Sequence, residues 1–189
     1  MKTTIRRGVW ETNSSSVHTL SVINESDVKK YPEKVVFGSG QFGWENQIYT
    51  DTASKAAYIW EILNSMNYYR EKNDECKDVL KIIKKIKKTL TKSGIKPVFE
   101  FPNDTISKNN DGTIYHHFVN KKGERDEGYV DHSYEAEDFV RELADNPKKL
   151  LNFLFDKKSW IRTGNDNQDD SDFLEAPDNG PSWEYVKGN

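Results

Sequence analysis

Residues 11 to 18 read Glu11-Thr12-Asn13-Ser14-Ser15-Ser16-Val17-His18, the densest run of chemically able side chains in the chain. Three consecutive hydroxyls next to Asn13, placed in a turn, offer side-chain and backbone donors that can surround a phosphate. Arg6 and Arg7, just upstream, carry charge suited to hold it. His18, with an unperturbed pKa of about 6.5, suits proton transfer. For Ser15 to act as a nucleophile, His18 would have to lie within hydrogen-bond reach, with Glu11 or Asp166 orienting the imidazole. Asn165 and Asn167 flank Asp166 and would add phosphate contacts. The same residues also suit a local purpose, in which the hydroxyls satisfy backbone groups of a turn and His18 packs in a strand.

Charge is the second candidate for function. The net charge is −3, yet from Arg70 to Lys96 there are ten Lys or Arg against four Asp or Glu, whereas Gly164–Asn189 has seven acids against Lys187. Lys81, Lys84 and Lys88 fall on one helical face, and such a face can engage nucleic-acid phosphates by releasing counterions, although a solvated helix face is the usual reason for the pattern. Asp169, Asp170 and Asp172, in the acidic tail, could imitate phosphates before a basic protein groove.

Three further patterns are weaker. Gly38–Gly43 satisfies G-x-G-x-x-G after a strand, but the next helix starts about eight residues late and no βαβ unit follows, so a loop needing glycine conformations is expected instead of a dinucleotide site. His116 and His117 adjoin on a strand and point to opposite faces, so they do not converge on one metal, and His132 could join only beside an acid. The run from Asp166 departs from a calcium loop, with no Gly at the sixth position and Pro177 where the bidentate Glu belongs. No metal and no cofactor is expected.

The elements that would position these groups follow from composition and periodicity. Leu, Ile, Val and Phe make up 42 of the 189 residues, just above the level of about 20% at which disorder is expected, and aromatics supply the remaining core at about 150–250 Å² each. The one cysteine, Cys76, excludes an internal disulfide and suits a reducing compartment as a buried structural thiol. No run of about 18 apolar residues and no apolar segment after the N-terminal basic residues is present, so neither a membrane span nor secretion is expected.

Thr3–Trp10 and the stretch from Val17 to Val22 read as two strands joined by the polar turn, an N-terminal hairpin. Lys34–Phe37 reads as a short strand. Asp51 or Thr52 caps a helix to about Met66, with Ala56, Ile59, Leu63 and Met66 as its apolar stripe. Asp74–Thr91 is the clearest helix, with Val79, Ile83, Ile86 and Leu90 on one side, and Gly94 and Pro97 end it. Val98–Phe101 opens a central meander: Thr113–Val119 is a strand between turns at Asn110-Asp111-Gly112 and Asn120–Gly123, and Glu124–Asp131 returns antiparallel. Ser133 caps a third helix, Asn146-Pro147 starts a fourth, and Ser159–Arg162 is a final strand. The expectation is an α+β domain over residues 1–165, of antiparallel strands and about four helices, followed by an acidic extension over 166–189 that Trp183 and Tyr185 could dock.

Three segments carry a resemblance: Arg6-Arg7-Gly8-Val9-Trp10-Glu11-Thr12-Asn13-Ser14-Ser15-Ser16-Val17-His18, then Phe42-Gly43-Trp44-Glu45, then Thr163-Gly164-Asn165-Asp166-Asn167. Together they resemble a family of small proteins from phages and mobile elements of Firmicutes and related bacteria. The first is long and specific, the other two short. The resemblance implies a bacterial cytoplasm and gives no reaction. By analogy with small phage proteins that disable host defences, anti-CRISPR inhibitors above all, the leading expectation is a non-enzymatic inhibitor of a defence nuclease, an RNA-guided nuclease with its guide RNA being the partner considered. The acidic tail would occupy a DNA groove and the lysine face would contact guide RNA. The alternatives are an enzyme acting on a nucleotide or phosphoester through Ser15, His18 and Asp166, and a virion or assembly component.

Overall fold

Helix α1 (Thr52–Tyr68) forms the centre of the molecule. In a computed structural model describing residues 16–68, 73–131, 136–165 and 182–187, this helix buries Ala56, Tyr58, Ile59, Trp60, Ile62, Leu63 and Met66. The apolar positions occupy more than the expected single stripe, and a helix apolar on most sides is stable only when surrounded. Helices α2 (Asn73–Lys92), α3 (Glu137–Asp145) and α4 (Pro147–Phe155) all pack against it. Asp51 starts α1, its carboxylate accepting the Ser54 N–H at 2.9 Å.

Helix α2 sinks Val79, Ile82, Ile83, Ile86 and Leu90 into the core and ends at Gly94, whose φ of +77° is a conformation glycine adopts without steric cost. Cys76 lies on this helix. Helix α4 starts as expected: Asn146 accepts the Lys149 N–H at 3.1 Å, and Pro147 occupies the first turn, where a missing N–H costs nothing. The cap expected at Ser133 lies outside the described residues, and α3 begins after Ala136 without a side-chain cap.

The principal sheet is antiparallel, in the order β10 (Ser182–Lys187), β1 (Ser16–Ile23), β9 (Trp160–Asn165), β4 (Gln47–Tyr49). Thr3–Trp10, the expected hairpin partner of β1, lies outside the described residues. Within them, β1 takes its partners from the C-terminal part of the chain, Ser16 opposite Asn165 and His18 opposite both Thr163 and Lys187. Trp183 and Tyr185 belong to the edge strand β10.

The central meander is only partly formed. Strands β6 (Asn103–Lys108) and β7 (Ile114–Val119) make an antiparallel hairpin about a turn with Gly112 at φ +92°. After the turn at Gly123, the return to β7 is one bridge, Val119 to Arg125. The chain then leaves to pair β8 (Tyr129–Val130) parallel with β3 (Gln41–Phe42). Likewise β5 (Lys96–Phe99) runs parallel to β2 (Lys34–Phe37), with Phe37 and Phe99 stacked at 4.7 Å. No helix among the described residues is long and apolar enough to cross a membrane.

Candidate functional site

The described parts of the three segments that carry the resemblance, Ser16–His18, Phe42–Glu45 and Thr163–Asn165, meet at one end of the principal sheet. Ser16 and Asn165 are cross-strand partners, as are His18 and Thr163. His18 is fully buried. Its Nε2 lies 3.0 Å from the Gly43 carbonyl and its Nδ1 3.1 Å from the Tyr58 hydroxyl. A carbonyl only accepts, so Nε2 carries the proton, and in the neutral ring Nδ1 accepts from Tyr58. Thr163 donates to the Glu45 carbonyl. The Phe42–Glu45 segment is thus tied to β1 and β9 through its backbone, and His18 serves as an internal cross-link from it to Tyr58 of α1, with neither ring nitrogen facing solvent. Of the other residues expected at this site, Ser16 is buried. Arg6, Arg7, Asn13, Ser14, Ser15, Asp166 and Asn167 lie outside the described residues, as do Asp169, Asp170 and Asp172 of the acidic tail.

Lys81, Lys84 and Lys88 are exposed on the face of α2 opposite its apolar residues, and Lys92 extends the row. Lys85 pairs with Asp145, and Lys87 lies over the Phe99 ring at 4.6 Å. Lys81, Lys84, Lys88 and Lys92 meet no carboxylate among the described residues.

A cavity of about 880 Å³ opens beside α1, walled by β7, the segment 125–131 and the start of α3. On its floor Glu61 accepts the Gly40 N–H at 2.8 Å. Asp126 accepts the Gly128 N–H at 2.9 Å, the Ser39 hydroxyl and the Trp60 indole N–H. The two carboxyl groups are hydrogen-bonded. Burial first, and then the Asp126 charge, push Glu61 up to about 8, so at neutral pH it holds a proton and donates it to Asp126. The close approach needs glycine: a Cβ on Gly128 would lie 2.0 Å from Glu61 Oε1 and 2.5 Å from the Gly40 carbonyl oxygen.

The same contact corrects the expectation for Gly38–Gly43. Among the described residues positive φ occurs at Gly94, Gly112 and Gly123 and not in this stretch. Its glycines serve close packing instead, a Cβ on Gly40 meeting Phe42 at 2.6 Å and Ala57 at 2.9 Å, and the Gly40 amide is engaged by a carboxyl group, not free for a phosphate.

His117 lines this cavity, 2.7 Å from the Ser107 hydroxyl and against the Tyr68 ring at 5.4 Å. Burial, then Arg125, then His116 hold its pKa down, so it is neutral at pH 7. His116 points the other way, its Nδ1 3.6 Å from Asp104. No group of three or more His, Cys, Asp or Glu among the described residues could hold a metal ion.

Beneath α4, Lys55 is fully buried and donates to the Asp156 and Ser159 carbonyls at 2.8 and 3.0 Å. Burial lowers its pKa to about 8 against the attraction of Asp156 and Asp51.

Sequence reasoning passed over Glu61, Lys55, Asp126 and Arg125. A signal existed for the first two: they are the ionisable Lys and Glu of a 17-residue helix that otherwise has no charge, and a charge on a surrounded helix is buried with a partner. Asp126 and Arg125 lie in a run of charged residues that looks like any solvated turn.

No family model, no curated protein and no solved structure matches this chain.

Proposed function

We propose that this chain acts by binding, and that the lysine face of α2 seats against nucleic-acid phosphates. The observation that carries the reading is the row Lys81, Lys84, Lys88 and Lys92, exposed and without carboxylate partners among the described residues. At about 1.5 Å per residue the row spans about 16 Å, room for three or four phosphate contacts. In the phage or mobile-element setting that the resemblance implies, the partner is a bacterial defence nuclease carrying nucleic acid, such as an RNA-guided nuclease with its guide RNA, and the effect is inhibition.

The test is a fluorescence-anisotropy titration of the chain with RNA and DNA over a salt series, followed by cleavage by an RNA-guided nuclease with the chain added. For three or four contacts the slope of log affinity against log salt is about −2 to −4. Replacing Lys81, Lys84 and Lys88 by Glu should abolish binding and inhibition. Binding that is insensitive to salt, or unchanged in this variant, overturns the reading.

A second reading, an enzyme acting on a nucleotide or phosphoester, draws on Ser16 facing Asn165 across the sheet and His18 reaching the Gly43 carbonyl. In it Ser15 and Asp166 carry the chemistry and His18 is a positioning residue. Turnover of nucleotide substrates lost in Ser15→Ala and Asp166→Asn would support it, and no turnover by the wild type would remove it.

A further inference from the structure

The cavity beside α1 has features that the α2 face does not explain. Its volume, about 880 Å³, falls in the range of small-molecule sites, about 300–1,000 Å³. Its polar floor is two carboxyl groups in contact, Glu61 and Asp126, held in place by the Gly40 and Gly128 amides and by the Trp60 indole. Two carboxyl groups this close cannot both ionise cheaply, and the proton between them is itself a bound cation. Asp131 and Glu137 also line the cavity, Arg141 reaching Glu137 at 3.7 Å, and Arg125 is the one Lys or Arg among its described lining residues. His117 contributes no charge at pH 7. Four carboxyl groups against one arginine in the described lining suit a cation better than a phosphate or a carboxylate.

The kind of cation follows from the walls. A metal ion needs converging ligands, and the described residues offer no such group. The cavity instead has aromatic rings in its lining together with the carboxyl groups: Tyr68 and Tyr129, each 40% or more exposed, and buried Phe118. Aromatic faces beside carboxylates suit an organic cation, which gains cation–π attraction and leaves its apolar part against the rings. We propose that the cavity binds a small organic ammonium ion, whose charge rests against the Glu61 and Asp126 carboxyl groups. Binding then releases the proton that Glu61 holds at neutral pH, so affinity rises with pH until Glu61 is already ionised.

Benzylamine tests this, with benzyl alcohol as the neutral control, by isothermal titration calorimetry at pH 6, 7, 8 and 9 in buffers of different ionisation enthalpy. Benzylamine affinity should rise by up to about tenfold per pH unit from pH 6 to 7 and level off beyond pH 8, with close to one proton passed to the buffer at pH 6. Benzyl alcohol should bind at least about tenfold more weakly at pH 8 and show no pH dependence. Glu61→Gln, which keeps a donor toward Asp126, should bind benzylamine with a flat pH profile, and Asp126→Asn should lose about tenfold at pH 8. The lysine-to-glutamate variant of α2 should bind as the wild type does, which separates this site from the nucleic-acid reading. No benzylamine binding, equal binding of the alcohol, or a pH dependence that survives in Glu61→Gln overturns the proposal.

Discussion

Replacing Glu61 by glutamine removes one ionisable group and leaves its hydrogen bonds in place, the amide carbonyl accepting from Gly40 and the amide NH₂ donating to Asp126. In the folded chain burial and the Asp126 charge raise the Glu61 carboxyl from its ordinary 4.5 to about 8. Between these values the folded state holds a proton that the unfolded state has released, so stability is highest below pH 4.5 and falls as pH rises through 8. At about 1.36 kcal/mol per pH unit, the wild type should lose about 4 kcal/mol relative to the variant between pH 4.5 and 9, about 3 kcal/mol of it above pH 6. Lys55 changes stability in the opposite sense over part of this range, but it is present in both proteins and cancels in the difference. Urea or thermal unfolding of both proteins at half-unit steps of pH is the assay. For a domain of this size the two Tm curves should coincide within a few degrees at pH 5 and separate by about 6–12 °C between pH 6 and 9, the variant above. Parallel curves, offset by a constant amount, would refute the proton-sharing pair.

Lys55→Met should show the opposite slope: burial holds the wild-type lysine at about 8 instead of 10.5, so the wild type should gain about 3 kcal/mol on the variant between pH 7.5 and 10.5, read by urea unfolding. Gly128→Ala places a methyl group 2.5 Å from the Gly40 carbonyl oxygen, and the forced separation of β3 from β8 should cost about 2–4 kcal/mol and show as faster amide exchange at Tyr129. His18→Phe breaks the link between Tyr58 and Gly43 and should cost about 2–3 kcal/mol in urea unfolding, whereas Tyr58→Phe, which leaves the Gly43 bond, should cost about 1 kcal/mol. Asn146→Ala removes the cap of α4 and should cost about 1 kcal/mol with no change in pH dependence.

The legible parts of the fold are those set by neighbours in sequence. The 3.6-residue period of Val79, Ile83, Ile86 and Leu90 identifies α2 and its solvated lysine face, because burial of one side is the whole reason for the pattern. Asn146-Pro147 and Asn110-Asp111-Gly112 specify a helix start and a turn through bonds spanning two or three residues. The pairing of β1 with β9 joins residues almost 150 positions apart, and nothing in the local composition of either strand chooses that partner. The parallel pairs β2–β5 and β3–β8 are of the same kind. Strand propensity says that a segment can pair, while the packing of α1 against its surroundings decides with which.

The candidate sites divide along the same line. The lysine face is written in the sequence, since solvated charges at helical spacing need no distant partner. His18 is visible in the sequence as a residue able to transfer protons, yet tertiary contacts with Tyr58 and Gly43 turn it into a buried cross-link. Glu61 and Asp126 are 65 positions apart, and each alone is an ordinary carboxylate. Only the fold presses one against the other beneath Gly40 and Gly128, and desolvation at that contact gives the pair its shared proton. The helices, the caps at Asp51 and Asn146 and the charged face follow from interactions a few residues long. Tertiary structure decided the strand partners, the cavity and the protonation of its floor, because these depend on which distant groups lose water together.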